Sequence, residues 1–387
     1  MELDGARHGE SHRMNHDGDE AGGIRISVGA AGEPGYEVFI HPGVLEDAGT
    51  LIASVLPAHR YAVISDTRVA ELYGERMLSA LSGAGLNATL FEFPAGEWNK
   101  TREIWAELSD GLLRAGFGRD SAVIALGGGV VGDLAGFAAA TYMRGVPIVQ
   151  VPTTLLAMLD SSVGGKTGVD TPVGKNLIGA FHRPSLVLAD PSLLSTLSRP
   201  QFVAGLAEAF KHAAIKDPEY FDWLAASAEK ALARLADVLV RLVARSVEIK
   251  AEVVMRDERE GGYRRILNFG HSVAHAQETI SGYGWLHGEA VAAGMVAEAA
   301  IGETLGVTAP GTADRLRAVL EGVGLPIELE ESLGAERFMK ALALDKKREG
   351  GRSRFALIAE IGRVAGSAAD GWTYEVSEDT VRAVLFG

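Results

Sequence analysis

From about Ile24 to about Thr196 the apolar residues fall in short continuous runs. Glu37-Val38-Phe39-Ile40, Tyr61 to Ser65 closing on Asp66, Ala88 to Phe93, Ser121 to Leu126, Ile148 to Pro152, and Leu186 to Asp190 each read as a strand. Between them, Arg68 to Ala84 and Thr101 to Ala115 carry helical spacing, with Thr101 as the N-cap of the second. Strands alternating with helices predict βαβ units and a parallel sheet. Beyond Thr196 the period changes. Phe202 to Lys216, Tyr220 to Ala236, Val238 to Arg256, His271 to Gly282, Glu289 to Leu305 and Ala313 to Gly324 read as helices, dominated by Ala, Leu, Glu and Arg. Ser353 to Ile361 reads as a short strand in this otherwise helical region. Leu197-Ser198-Arg199-Pro200 breaks the pattern between the two regions. The expectation is a Rossmann-like α/β domain over 23–197 and a mainly α-helical domain over 198–387, with no internal repeat.

The chain has 387 residues, enough for two domains, and 47% of them are hydrophobic. Its formal net charge of -14 argues against a general nucleic-acid partner, although a local cationic cluster can oppose the global sign. There is no cysteine, so any metal site must use His, Asp or Glu. The lack of disulfides fits a cytoplasmic location. No apolar stretch is long enough to span a membrane. Residues 1–22 lack an apolar core and are rich in charge, Gly and His; they read as a disordered tail, and His8, His12 and His16 as solvated rather than metal-binding.

Chemistry concentrates in a few places. Gly127-Gly128-Gly129-Val130-Val131-Gly132-Asp133 directly follows a strand and opens a helix. A helix N-terminus offers unpaired N–H groups, and glycines let a pyrophosphate approach them, so this run predicts a dinucleotide site. It is not the usual Gly-x-Gly-x-x-Gly fingerprint. Asp66, at the end of an earlier strand, is placed either to accept a ribose hydroxyl or to cap the next helix. Further on, Pro152-Thr153-Thr154, Asp160-Ser161-Ser162-Val163-Gly164-Gly165-Lys166-Thr167-Gly168 and Gly174-Lys175-Asn176 set two lysines among small residues, a setting for an anionic substrate. The P-loop spacing fails, because Asp160 stands where its first glycine belongs. In the helical region Glu208, His212, His271, His275, His287 and Glu289 are candidate metal ligands; His271 and His275, like Glu208 and His212, lie four apart on one helical face. Lys211, Lys250, Glu260, Arg264, Asn268 and Lys346 are scattered polar residues beside them.

These motifs, in this order and over nearly the whole chain from residue 24, resemble the 3-dehydroquinate synthase family of sugar phosphate cyclases. The likeness is carried by Gly127–Asp133, Phe137–Gly145, Pro152–Gly168, Gly174–Phe181, Leu206–Lys211, Asn268–His275, His287–Ala290 and Asp345-Lys346-Lys347. The resemblance implies conversion of 3-deoxy-D-arabino-heptulosonate 7-phosphate to 3-dehydroquinate and phosphate, in the shikimate pathway. NAD would be reduced and reoxidised within one turnover, around phosphate elimination and an aldol closure, with one divalent metal, zinc or cobalt. It makes the α/β domain NAD-binding and the helical domain metal-binding. It implies Glu208, His271 and His287 as metal ligands, which moves His275 to the substrate side and leaves His212 as a local departure. It implies an NAD site of Asp66, Glu97, Lys100, Gly129, Val130, Val131, Gly132, Asp133, Thr153, Thr154, Lys166, Lys175 and Thr196. Substrate contacts would come from Asp160, Lys166, Asn176, Lys211, Lys250, Arg264, Asn268, His275 and Lys346, and Arg144 would reach across a homodimer. Three rivals stand beside this reading. Valiolone-type or deoxyinosose-type cyclases share the chemistry, but the valiolone type carries Asp and Pro where this chain has Asn268 and His275. A metal-dependent alcohol dehydrogenase would release NADH. A catalytically dead NAD-binding protein would not need the intact lysines and triad. Asp170, Arg183 and Ser272 stand where the family has Asn, Gln and Thr.

Overall fold

A computed structural model describes residues 23–29, 35–172, 174–282, 284–330, 334–344 and 353–387. The expected tail over 1–22 and Lys346 lie outside the described residues. The chain begins with β1 (Ile24–Val28), β2 (Tyr36–Ile40), α1 (Val44–Val55), β3 (Arg60–Asp66), α2 (Thr67–Val69), α3 (Glu75–Gly83), β4 (Ala88–Phe93), α4 (Arg102–Arg114), β5 (Ser121–Gly127), α5 (Gly129–Thr141) and β6 (Ile148–Pro152). It continues through a hairpin of β7 (Lys166–Thr171) and β8 (Gly174–Phe181) to β9 (Leu186–Ala189). One sheet runs in the order β1-β2-β9-β6-β5-β3-β4; β1 pairs antiparallel with β2, and every other neighbour is parallel. β3 lies between β4 and β5, so the chain leaves β3 in one direction and returns on its other side. Such a switch point leaves a crevice at the carboxyl ends of the strands, and there Gly127 ends β5 beside Asp66 of β3. β5 is buried along its whole length, which is why its sequence is an unbroken apolar run.

The helical half comprises α6 (Arg199–Lys216), α7 (Pro218–Ala226), α8 (Ala228–Leu232), α9 (Ala236–Arg256), α10 (His271–Ile280), α11 (His287–Thr304), α12 (Thr312–Gly322) and α13 (Ala335–Leu344). Four short strands follow, β10 (Arg354–Phe355), β11 (Ile358–Glu360), β12 (Arg363–Val364) and β13 (Tyr374–Glu375), and then α14 (Glu378–Phe386). One apolar cluster joins Leu126, Val151 and Leu155 beside the sheet to Phe202, Leu206 and Val243 of the helices. The opposite face of the sheet packs on α4 and α5 through Leu108, Leu112, Leu134 and Val131.

Three elements differ from the sequence expectation. The helix expected over Tyr220 to Ala236 breaks into α7 and α8, and Arg234 then turns left-handed at φ +58. That turn is closed by the Leu235 amide donating to the Lys230 carbonyl, and the Arg234 guanidinium is anchored on the Ser195 carbonyl at 2.6 Å. The strand expected over Ser353 to Ile361 is two strands, β10 and β11, in separate two-stranded sheets. The segment around Lys166 and Lys175 folds as the β7–β8 hairpin although its glycines hide any alternation. Those glycines let the strands close up: a Cβ on Gly179 would stand 2.1 Å from the Thr167 carbonyl oxygen.

Candidate active site

The glycine turn is the first component. Gly128 caps α5, whose first residues offer their amides to the crevice. A Cβ on Gly128 would meet Thr154 Cγ2 at 2.9 Å, and one on Gly132 would meet Gln150 Oε1 at 2.9 Å, so backbone and neighbouring strand lie too close for side chains. The Val131 side chain points into the core, which leaves only its backbone for a ligand. The Thr153 amide donates to the Gly127 carbonyl at 3.0 Å, and Thr154 Oγ1 accepts from the Ala157 amide at 3.2 Å. Lys100 is buried and reaches Asp133 at 2.6 Å. One Asp66 oxygen accepts the Arg68 and Val69 amides at 3.0 Å, which is the helix-cap arrangement. Thr196 lies farther along, its hydroxyl 2.6 Å from that of Tyr73.

The second component is a cluster on the helices. Glu208 of α6, His271 at the start of α10 and His287 at the start of α11 bring ligand atoms within 4.8 Å of one another. Glu208 Oε1 is 3.7 Å from His271 Nε2 and 3.5 Å from His287 Nε2. It is buried and has no hydrogen-bond donor, a costly state for a carboxylate oxygen unless a cation completes it. Behind the rings, His271 Nδ1 lies 3.2 Å from the Phe269 carbonyl and His287 Nδ1 3.5 Å from Glu278. Both imidazoles therefore present Nε2 forward, as metal ligands do. The donor set fits one divalent ion. Asp160, Glu208 and His212 also converge within that distance. There, however, Lys250 already reaches Asp160 at 2.7 Å and Lys211 reaches Glu208 at 2.6 Å, so the negative charge is matched without a metal. Burial drives His212 towards its neutral form.

Cations form the third component. Burial alone would push the Asp160 carboxyl up, but Lys250 and Lys211 hold it well below the usual carboxylate range. Burial brings Lys250 down to about 8 despite Asp160 beside it. Lys166, at the start of β7, donates to Glu260 at 2.5 Å, and Asn268 donates to the same carboxylate at 2.7 Å. Arg264 is almost wholly buried; its guanidinium donates to the Gly164 carbonyl at 3.1 Å and to the Glu258 carbonyl. It thus supports the loop before Lys166 from behind. Lys175 of β8 sits between Glu278 at 3.1 Å and Glu97 at 3.3 Å. Asn176 is exposed at φ +54, its amide donating to Asp170 at 2.9 Å, so the departure at Asp170 closes the hairpin turn. Arg183, another departure, forms an ion pair with Glu258. His275 follows His271 by one turn, ring centroids 5.7 Å apart. Arg144 is exposed on the turn after α5, where Met143 and Arg144 both have positive φ, +51 and +71. Such strain in two successive non-glycine residues costs about 1–3 kcal/mol each and persists where surroundings enforce it.

Sequence reasoning missed Glu278 and Glu298. Glu298 of α11 is fully buried and accepts the Gly270, Ser272 and Val273 amides at 2.7, 2.9 and 3.1 Å, so its carboxylate caps α10 just where His271 begins it. A glutamate two turns along α10 and another on α11 carry no motif; only the spatial pairing marks them.

A glycine turn at the switch point of a parallel sheet, facing a Glu-His-His cluster on helices through a belt of lysines, is the architecture of the sugar phosphate cyclases. The fold matches 2-deoxy-scyllo-inosose synthase, solved with carbaglucose-6-phosphate, NAD+ and Co2+, with TM-score 0.86 at 24% identity, over 94% of this chain and 99% of that one. It also matches 2-epi-5-epi-valiolone synthase from Streptomyces hygroscopicus, solved with NAD+ and Zn2+, with TM-score 0.81 at 31% identity, over 92% and 98%. Residues 90–204 match the model for the 3-dehydroquinate synthase N-terminal region and residues 205–348 that for its C-terminal region. The 3-dehydroquinate synthase of Symbiobacterium thermophilum is 46% identical over 91% of this chain and 97% of its own length; that of Caulobacter vibrioides is 47% identical over 88% and 94%. The chain belongs to the 3-dehydroquinate synthase family, and its place is the shikimate pathway. Among the described residues no helix is long and apolar enough to cross a membrane.

Proposed function

We propose that this chain converts 3-deoxy-D-arabino-heptulosonate 7-phosphate to 3-dehydroquinate and phosphate, using NAD at the glycine turn and one zinc or cobalt ion at Glu208, His271 and His287. The observation that carries the reading is the buried, donor-free Glu208 oxygen faced by two imidazole nitrogens. When bound, the ion supplies Lewis acidity for a substrate hydroxyl, and NAD supplies a hydride acceptor that is regenerated before product leaves. The chain supplies position and charge. The free amides of Gly129, Val130 and Val131 at the start of α5 hold the pyrophosphate, with Gly132, Asp133, Asp66, Glu97, Lys100, Thr153, Thr154, Lys166, Lys175 and Thr196 completing the cofactor side. Lys166, Lys211, Lys250 and Arg264 set a positive field for a substrate that carries both carboxylate and phosphate. Asp160 keeps Lys250 and Lys211 together and in place. His275 and the lysines hold the phosphate as it departs, and the leaving group's own oxygens take the proton from the adjacent carbon. Asn176, Asn268 and Lys346 are the remaining substrate contacts. Retention of Asn268 and His275 supports this substrate over that of a valiolone-type cyclase.

The working form is a homodimer in the cytoplasm. Exposed Leu177, Ile178 and Phe181 on β8, together with the strained turn that presents Arg144, support a face covered by a second copy. Metal analysis and turnover of Glu208→Ala and His271→Ala test the assignment. Both variants should lose bound metal and metal-dependent phosphate release; full activity without bound metal would overturn it.

A further inference from the structure

We propose that Glu278 is a positioning residue that joins the metal cluster to the cofactor-side hairpin, steadying the His287 ring with one flank and the Lys175 ammonium with the other. The inference rests on the ligand assignment above. Glu278 follows His271 by seven positions on α10, so the two share a face of that helix. Its side chain is 3% exposed. A carboxylate buried to that degree must be paired. Oε1 lies 3.1 Å from Lys175 Nζ and 3.5 Å from His287 Nδ1, and the His275 ring adds a third facing group.

The two partners come from opposite sides of the site. His287 opens α11, and its other nitrogen faces Glu208. Lys175 belongs to β8, where Glu97 flanks it 3.3 Å away. Glu97, Lys175, Glu278 and His287 therefore form a line that alternates carboxylates with an ammonium and an imidazole, from the cofactor side to the metal cluster. A carboxylate behind a ligating imidazole fixes the tautomer, orients the ring and raises its basicity. Here that carboxylate also serves an ammonium, so what happens to Lys175 changes how much negative charge is left for His287. The same contact holds the hairpin against α10. Asp170, on the hairpin, adds a further carboxylate whose charge acts on Lys175 and Glu97, whereas Arg183 lies just after the hairpin and pairs with Glu258.

Zinc affinity of the purified protein, measured by competition with a chromophoric chelator, tests the claim without any turnover. Glu278→Gln should weaken zinc by ~10–100-fold. Lys175→Met, which removes the cation that shares the Glu278 carboxylate, should tighten zinc several-fold in the native background. In the Glu278→Gln background the same change should do nothing, because the two act through one carboxylate. A purely structural role for Glu278 would leave the Lys175 effect intact in both backgrounds. If Glu278→Gln unfolds, Glu278→Asp serves: it keeps the charge but cannot span both partners, and should bind zinc with intermediate affinity. Zinc affinity of Glu278→Gln within about twofold of native, or an additive Lys175 effect, would overturn the inference. Glu208→Ala separates the two levels of argument. If it binds zinc normally, the ligand assignment fails and this inference with it; if it loses zinc while Glu278→Gln does not, this inference alone fails.

Discussion

Gly288→Ala should damage the metal cluster without touching a ligand. Gly288 is the second residue of α11, directly after His287, and lies against α6, which carries Glu208. A Cβ there would stand 1.8 Å from the Ala204 carbonyl oxygen and 2.5 Å from its carbon. Contacts below 3.0 Å do not survive, so the two helix backbones must part by at least 1.2 Å, the difference of 3.0 and 1.8. Both neighbours are backbone, and no flexible side chain can give way instead. Glu208 and His287 now face each other at 3.5 Å across this junction. Overpacking of this kind costs about 1–3 kcal/mol of stability. A misplacement near 1 Å at a reacting centre costs ~10²-fold in rate. The assay is zinc affinity by chelator competition, kcat/KM for phosphate release, and thermal unfolding. Gly322→Ala is the control, since a Cβ there meets nothing within 4 Å. Native zinc affinity and native kcat/KM in Gly288→Ala would refute the argument that close helix approach sets the ligand geometry.

Two further outcomes follow from the charges. Lys250, brought down to about 8, is cationic below that pH and neutral above it; kcat/KM for the anionic substrate should therefore decline as pH rises through about 8, and Lys250→Arg should move that limb upward. A profile flat from neutral to well above pH 8 would count against Lys250 as an anion-holding group. Glu298→Gln keeps one carbonyl oxygen for the α10 amides but turns the other acceptor into a donor, stranding an amide at ~1–3 kcal/mol. A fall in Tm together with weaker zinc binding is expected, and a native Tm would show that the cap is dispensable.

The parts of the site legible in the sequence are those whose chemistry lies within a few residues. The glycine run after an apolar strand announced its turn, because strand burial and backbone approach leave a local mark. Glu208, His271 and His287 were among several equivalent candidates by spacing, and only the family resemblance separated them from His212 and His275. In the structure the reason is physical: Lys211 and Lys250 occupy the charges around Asp160, whereas Glu208 Oε1 is left facing the imidazoles. Glu278 and Glu298 could not be read, since their partners are a hairpin lysine and three backbone amides far away in sequence. The β7–β8 hairpin was hidden because its glycines erase the alternation that marks a strand. The end of α8 was hidden because the αL turn at Arg234 is held by carbonyls nearly forty residues earlier.

The proposed function requires a closed redox cycle on bound NAD, run beside a metal held by Glu208, His271 and His287. The most direct measurement uses 3-deoxy-D-arabino-heptulosonate 7-phosphate deuterated at the carbon that is oxidised, with NAD and zinc, following phosphate, 3-dehydroquinate, free NADH and the fate of the label. Equal phosphate and dehydroquinate, no accumulating NADH, and deuterium retained in the product at its original carbon are expected. Net NADH release, loss of the label, or turnover of sedoheptulose 7-phosphate with none of this substrate would contradict the proposed function.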